Sequence, residues 1–315
     1  MDTYCPDLWD SLTIDNRGNI YSCCLIKPVC FGNIYQSELK NLVNDQAIVT
    51  ERENSLNGTL KCYSECNWVD KTAFHRERIA DSHVDYEKMS YLHLNFGERC
   101  NISCIMCRQR ERYASNPRIL DPEVLKEKID VKPFTDIVIQ GGEPLFIAEC
   151  LEYMRYLGSI GKKYTLLTNG LLIDDRLANQ LSKDAKIVCI SINAATKKTH
   201  EHVNRGSRWD AVLNNINRLK AARSRNNTSL ELWGRMTITV PAILEIPIYL
   251  SIWQSLGFDH INFGYDRLTV PAFLKNNPDI YRRLKEDVTS SLIGADPKLM
   301  DTYRLKCLGL VAEGV

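Results

Sequence analysis

The sequence predicts an α/β protein whose main part alternates strands with helices, preceded by a small cysteine-rich α+β module. Three observations lead there. From residue 89 onward, short apolar β-prone runs alternate with longer stretches in which apolar residues recur at three- and four-residue spacing. Ahead of that point, cysteines and turn residues crowd into residues 1–70 around one helical stretch. Finally, Cys100, Cys104 and Cys107 stand in one loop directly behind the first strand-like run of the main part.

In chain order, Leu12–Asp15 and Asn19–Ser22 alternate apolar and polar residues on either side of Asn16-Arg17-Gly18, which reads as a β-hairpin. Cys23 and Cys24 follow its second strand. Phe31-Gly32-Asn33-Ile34 leads to a helical stretch from Ser37 to about Arg52, with Leu39, Leu42, Val43 and Ile48 at near-helical spacing. Cys62-Tyr63-Ser64-Glu65-Cys66 closes the module. Residues 71–88 are strongly polar and read as a linker, with His75 and His83 solvated.

Strands are predicted at Tyr91–Phe96, Ile137–Ile139, Tyr164–Thr168, Ile187–Ile192, Leu230–Val240 and His260–Phe263. Helices are predicted at Leu145–Leu157, Leu172–Leu181, Arg208–Ala222 and Ile243–Leu256. Strands joined by helices imply parallel β/α units with right-handed crossovers over 89–270. Residues 271–315 read as a helical extension.

With 315 residues the chain can bury an ample core, and 40 basic against 39 acidic side chains leave a formal charge of +1. That balance creates no global field for nucleic acid or an anionic membrane. The start of the chain is neither basic nor followed by an apolar stretch, and the apolar region near Val240–Trp253 is broken by Pro241, Glu245 and Pro247. Neither reads as a signal peptide or a bilayer span. Twelve cysteines without an export signal fit a reducing compartment, so a soluble cytoplasmic protein is expected.

The spacing C-x3-C-x2-C, Cys100-Asn101-Ile102-Ser103-Cys104-Ile105-Met106-Cys107, offers three thiolates for three corners of a 4Fe-4S cluster and no nearby fourth. An iron without a protein ligand is open to another molecule, as in catalytic metal sites generally. A structural zinc site is the alternative, although zinc would recruit a fourth Cys or His close by. Gln140-Gly141-Gly142-Glu143-Pro144 follows the second predicted strand. Glu143 suits both a charge-assisted bond to an ammonium group and the start of a helix.

The cysteine loop resembles that of the radical S-adenosylmethionine (SAM) enzymes, and Gly141, Gly142, Glu143 and Pro144 match that family's GGEP motif. The resemblance implies a partial (β/α)6 barrel with working residues at the carboxyl ends of its strands. It implies further that Cys100, Cys104 and Cys107 hold a 4Fe-4S cluster, that SAM completes its open iron, and that reductive cleavage gives a 5′-deoxyadenosyl radical. Cofactor contacts implied by position are the GGEP residues for the SAM amino group, Ser191 and Asn193 for its methionine or ribose, Arg205 for its carboxylate and Met106 near adenine. A surface role for Arg205 fits its polar loop equally well. Cys30, Cys150, Cys189 and Cys307 match no motif.

The order of the first 70 residues resembles the twitch or SPASM module, which in that family carries an auxiliary 4Fe-4S cluster. Ligands implied by position are Cys5, Cys23, Cys62 and Cys66. Here the final pair is C-x3-C instead of the usual C-x2-C, and Cys24 stands beside Cys23 as a rival; a zinc-stapled module is the alternative reading. The resemblance implies an oxidoreductase acting on a small sugar- or aminocyclitol-like molecule, with a flavodoxin- or ferredoxin-like electron donor and an auxiliary cluster that accepts an electron. A peptide-modifying maturase is the alternative enzyme, and a non-catalytic iron-sulfur or zinc redox sensor the alternative of another kind.

Overall fold

A computed structural model describes residues 2–23, 28–64, 66, 78–109, 111 and 114–311, so Cys24 and His75 lie outside the described residues. Its strands, in chain order, are β1 (Ser11–Ile14), β2 (Asn19–Tyr21), β3 (Gly32–Asn33), β4 (Tyr91–Asn95), β5 (Ser103–Cys104), β6 (Asp136–Gln140), β7 (Tyr164–Thr168), β8 (Ala185–Ser191), β9 (Asn204–Arg205), β10 (Glu231–Ile238), β11 (His260–Tyr265) and β12 (Met300–Asp301). The chain forms two compact units, residues 1–99 with 110–165 and residues 100–109 with 166–315.

In the first unit β1 and β2 form the expected hairpin. The Asp15 carboxylate accepts the backbone N–H groups of Arg17 and Asn19, each at 2.9 Å. Gly18 takes a left-handed φ of 80°, and a Cβ there would stand 2.5 Å from the Tyr35 ring, so only glycine fits the turn. Antiparallel β3 extends the hairpin. On its other side β1 pairs in parallel with β4, Thr13 opposite His93, and β4 pairs in parallel with β6, His93 opposite Val138 and Asn95 opposite Gln140. The hairpin of the cysteine-rich segment is thus hydrogen-bonded into the same sheet as the first strand of the main part.

The helix expected from Ser37 to about Arg52 is two helices, Leu39–Leu42 and Gln46–Leu56. Asp45 breaks it: its backbone is extended and its carboxylate caps Ala47 N–H at 2.9 Å, a local bond that competes with helix continuation. Arg52 on the second helix is 1% exposed. Its guanidinium donates to the carbonyls of Leu8 and Ser82 and to Asn44 Oδ1, at 2.8–3.1 Å, and burial lowers its pKa to about 10.

In the second unit β8, β10 and β11 pair in parallel, with β12 added beside β11. Along β10 buried and half-buried residues alternate strictly, so one face packs on helices while Trp233, Arg235 and Thr237 line the other. Helix Asp175–Asp184 starts where Asp174 accepts the Leu177 N–H at 2.7 Å, and Trp209–Asn226 ends at Asn227 in the left-handed region, φ 49°. The helix expected over Ile243–Leu256 is a 3-10 segment, Val240–Glu245, followed by a helix at Ile246–Ile252. The tail holds helices Val270–Asn276, Pro278–Ser291 and Tyr303–Cys307, and also β12, which its sequence did not announce. Among the described residues no helix is long and apolar enough to cross a membrane.

Two buried histidines make stability pH-dependent. Burial lowers the pKa of His93 and of His200 to about 4, opposed by a hydrogen bond that the protonated His93 ring would donate to Gln140 and by the Glu201 charge near His200. The unfolded value is about 6.5, so between the two values the unfolded chain binds more protons. Stability is therefore complete above about pH 6.5 and is lost as pH falls toward 4, by about 2 kcal/mol per ring at about pH 5. Urea midpoints at pH 7 and pH 5 should separate less for His200→Gln than for the parent chain. Equal separations would remove His200 as a contributor.

Candidate functional site

The cysteine loop is held within the second unit. Ser103 and Cys104 pair antiparallel with Arg205 and Asn204, and Ile105 N–H donates to the Val203 carbonyl at 2.9 Å. Cys107 N–H returns to the Cys104 carbonyl at 3.1 Å, so the last two cysteines bracket one tight turn. Asn169, at the end of β7, donates from Nδ2 to Asn101 Oδ1 at 2.7 Å. Cys100, Cys104, Met106 and Cys107 are half-buried.

Behind the loop runs a buried amide chain. Asn193 Oδ1 accepts the Thr237 N–H at 2.8 Å, while its Nδ2 donates to Asn204 Oδ1 at 2.9 Å. Asn204 Nδ2 faces the His200 ring, whose Nε2 meets Ser207 Oγ at 2.9 Å. Asn193, Asn204 and His200 are each at most 3% exposed. The network ties the end of β8 to β9, and β9 carries the backbone that pairs with Cys104. Asn193 thus makes one bond to the protein through each polar end. Ser191 is half-buried at the end of β8, and Arg205 projects from β9 as an exposed side chain.

In the first unit the turn after β6 folds back on the chain that leaves β4. Gly142 N–H donates to the Gly97 carbonyl at 2.7 Å and Glu143 N–H to the Arg99 carbonyl at 2.8 Å. A Cβ on Gly142 would lie 1.9 Å from the Arg99 oxygen. The glycine is therefore demanded by close passage of one backbone against another. Arg99 immediately precedes Cys100 in the sequence, so the turn grips the residue from which the cysteine loop departs. Glu143 is 1% exposed and its carboxylate accepts the Leu145 N–H at 3.1 Å, capping the 3-10 turn Pro144–Phe146. The alternative noted for Glu143, a helix-start role, is thus present in the structure.

The N-terminal cysteines also gather in the first unit. Burial raises the Cys5 pKa far above the ordinary thiol value, and the nearby Asp7, Cys23 and Cys62 raise it further. Cys66 and Cys5 both act on the Tyr63 hydroxyl. Cys5 is fixed by its N–H on Ser55 Oγ at 2.9 Å, and Ser55 in turn donates to the Thr3 carbonyl. Thiols so placed are poor thiolates alone, and positive iron offsets that penalty on binding.

Both sets fit iron-sulfur clusters in kind: three thiols on a loop without a fourth, and four thiols, of which Cys23 and Cys62 act on Cys5. Among the described residues no three His, Cys, Asp or Glu side chains come together as a group that could hold a metal ion. A cubic cluster takes one thiolate per iron and accepts wider spacing. Sequence reasoning missed Asn101, His200 and Asn204, for which only the residue types in a polar loop gave a signal. It also passed over His93 and Asn95, whose alternation with Leu92 and Leu94 marks one face of a strand.

Comparison with known proteins agrees with these motifs. Residues 94–246 match the family described as the Radical SAM superfamily, and residues 5–67 match the iron-sulfur cluster-binding domain SPASM. A GTP 3′,8-cyclase of Rhodopirellula baltica is 28% identical over 239 residues, covering 69% of this chain and 64% of that protein. The radical SAM cyclopropyl synthase TigE of Paramaledivibacter caminithermalis is 26% identical over 188 residues, covering 52% of this chain and 39% of that protein. The crystal structure of Streptococcus suis SuiB bound to precursor peptide SuiA aligns with a TM-score of 0.46 and 15% identity, covering 90% of this chain and 71% of SuiB. The chain spans about half to two thirds of the length of the GTP 3′,8-cyclases first matched, 50% and 64% for two of them.

Proposed function

The chain belongs to the radical SAM superfamily and carries an iron-sulfur cluster-binding SPASM module ahead of its radical SAM domain, and from that premise we propose an oxidoreductase that removes hydrogen from a hydroxyl-bearing small molecule of the sugar or aminocyclitol kind. The observation that supports oxidation is the second set of thiols: Cys23 and Cys62 lie close enough to Cys5 to raise its pKa, and Cys66 completes four. When bound, a 4Fe-4S cluster with SAM supplies a 5′-deoxyadenosyl radical, and a second cluster supplies an electron acceptor.

The chain's own residues hold and orient. Cys100, Cys104 and Cys107 bind the first cluster, and the Asn193–Asn204–His200 chain fixes β9 and with it the strand of Cys104. Glu143, buried and acidic, would accept the SAM ammonium group, with Gly141, Gly142 and Pro144 shaping the turn. Ser191 and Met106 would hold the rest of SAM, and Arg205 its carboxylate, where a fork of donors suits two oxygens. Asn193, bonded to Asn204 and to the Thr237 N–H, keeps one amide N–H and one oxygen lone pair for the methionine or ribose of SAM. A flavodoxin- or ferredoxin-like protein of the cytoplasm supplies the electron.

Anaerobic reconstitution tests this reading. It should yield about eight irons per chain and, with SAM and dithionite, 5′-deoxyadenosine. About four irons together with bound zinc would remove the electron acceptor and with it the oxidoreductase. Cys62→Ala should keep deoxyadenosine formation within about threefold while substrate oxidation falls at least about a hundredfold. Product formation that survives this change would exclude the N-terminal thiols from the oxidation.

A further inference from the structure

We propose that the cavity of the first unit lined by His93 and Asn95 is the pocket that reads hydroxyl or amino groups of the substrate. The proposal rests on the function argued above and adds the chemistry that selects the molecule. The cavity has a volume of about 210 Å³, and Thr13, Tyr21, Cys23 and Gln140 also line it. Strand register explains the grouping: Thr13 lies opposite both Tyr21 and His93, and Asn95 lies opposite Gln140, so these side chains share one face of the sheet.

Two acceptors in this wall are without a partner among the described residues. His93 Nε2 and Asn95 Oδ1 are both buried and make no hydrogen bond to them. Leaving such an atom unsatisfied costs about 1–3 kcal/mol, so a pair of them in one cavity is a standing demand for a donor. Gln140 interacts with the His93 ring, and burial keeps that ring neutral. In the tautomer protonated on Nδ1, Nε2 offers a lone pair. The two residues stand about 6.6 Å apart along the strand, within the span of one ring-sized molecule carrying two donors.

The wall also says what is refused. No Lys or Arg among the described residues lines the cavity, and Asp15 does, its carboxylate already accepting from Arg17, Asn19 and Tyr21. Among the described lining residues an anion would meet acceptors and a carboxylate with no counter-charge. The volume lies below the roughly 300–1,000 Å³ of sites for larger ligands, which suits a single ring. Cys23 in the wall sets the bound group beside the N-terminal thiols.

The test is calorimetric titration of the reconstituted full-length protein with myo-inositol, 2-deoxystreptamine and glycerol 3-phosphate. Myo-inositol or 2-deoxystreptamine should bind, and His93→Phe and Asn95→Leu should each weaken it about tenfold or more. Asn95→Asp keeps its acceptors and adds charge, so it should tighten 2-deoxystreptamine relative to myo-inositol, a gain that misfolding cannot mimic. Failure of both probes to bind, unchanged affinity in the Phe and Leu variants, or equal binding of glycerol 3-phosphate would overturn the pocket. Deoxyadenosine formation by the parent chain separates the two claims: its absence removes the proposed function, whereas its presence without probe binding removes this pocket alone.

Discussion

Cys104→Ala should lower 5′-deoxyadenosine formation by more than about 1,000-fold, equivalent to about 4 kcal/mol of barrier, because the loss acts on the existence of the cluster. On the proposed assignment three thiolates hold three irons, and no fourth thiol of the loop stands in reserve. Cys104 is also fixed through its backbone. Its strand pairs with β9, and its carbonyl accepts from Cys107 N–H. Backbone pairing survives the substitution, so the variant should fold while its iron content falls from about eight to about four per chain. Iron analysis with chromatographic assay of deoxyadenosine checks both numbers. Parent-level deoxyadenosine from this variant would end the assignment of the loop.

Gly142→Ala should be the most destabilising single methyl in the GGEP turn, costing about 3 kcal/mol or more. The added carbon would stand 1.9 Å from the Arg99 oxygen, 2.4 Å from its carbonyl carbon and 2.5 Å from the Glu98 oxygen. All three are backbone atoms, so no flexible side chain can swing away. Relief requires the turn to part from the β4 exit, breaking the bonds to Gly97 and Arg99. Thermal unfolding of the metal-free chain measures the stability loss separately from cluster loading. An unchanged melting temperature would show that the close passage is not obligatory.

How much was legible follows from how local each interaction is. The hairpin at β1 and β2 was readable because an Asp-Asn-Arg-Gly turn carries its own hydrogen bonds, and the strands ahead of the cysteine loop and the GGEP turn were readable from apolar runs. The helix drawn through Asn44 and Asp45 was not, because periodicity continued across a residue whose side chain caps a new start. Met300–Asp301 is a strand only because β11 offers an edge, which no two-residue pattern can announce. Among site residues, the cysteines and Glu143 were visible as motifs. Asn193 was visible as a position, but its bonds to Thr237 and Asn204 were not, since those partners lie 44 and 11 residues away.

The order of residues alone determined the chemistry within reach: thiol spacing and the GGEP turn depend on neighbours a few positions apart, and short-range geometry survives any arrangement of the rest. Folding decided which polar atoms are spent and which are left over. His93 and Asn95 read along the chain as ordinary strand residues, and only parallel pairing of β1, β4 and β6 sets them in one wall with acceptors still unsatisfied. Hydrogen-bond saturation is a property of what surrounds an atom in space, so it is written nowhere in the sequence until the sheet has formed.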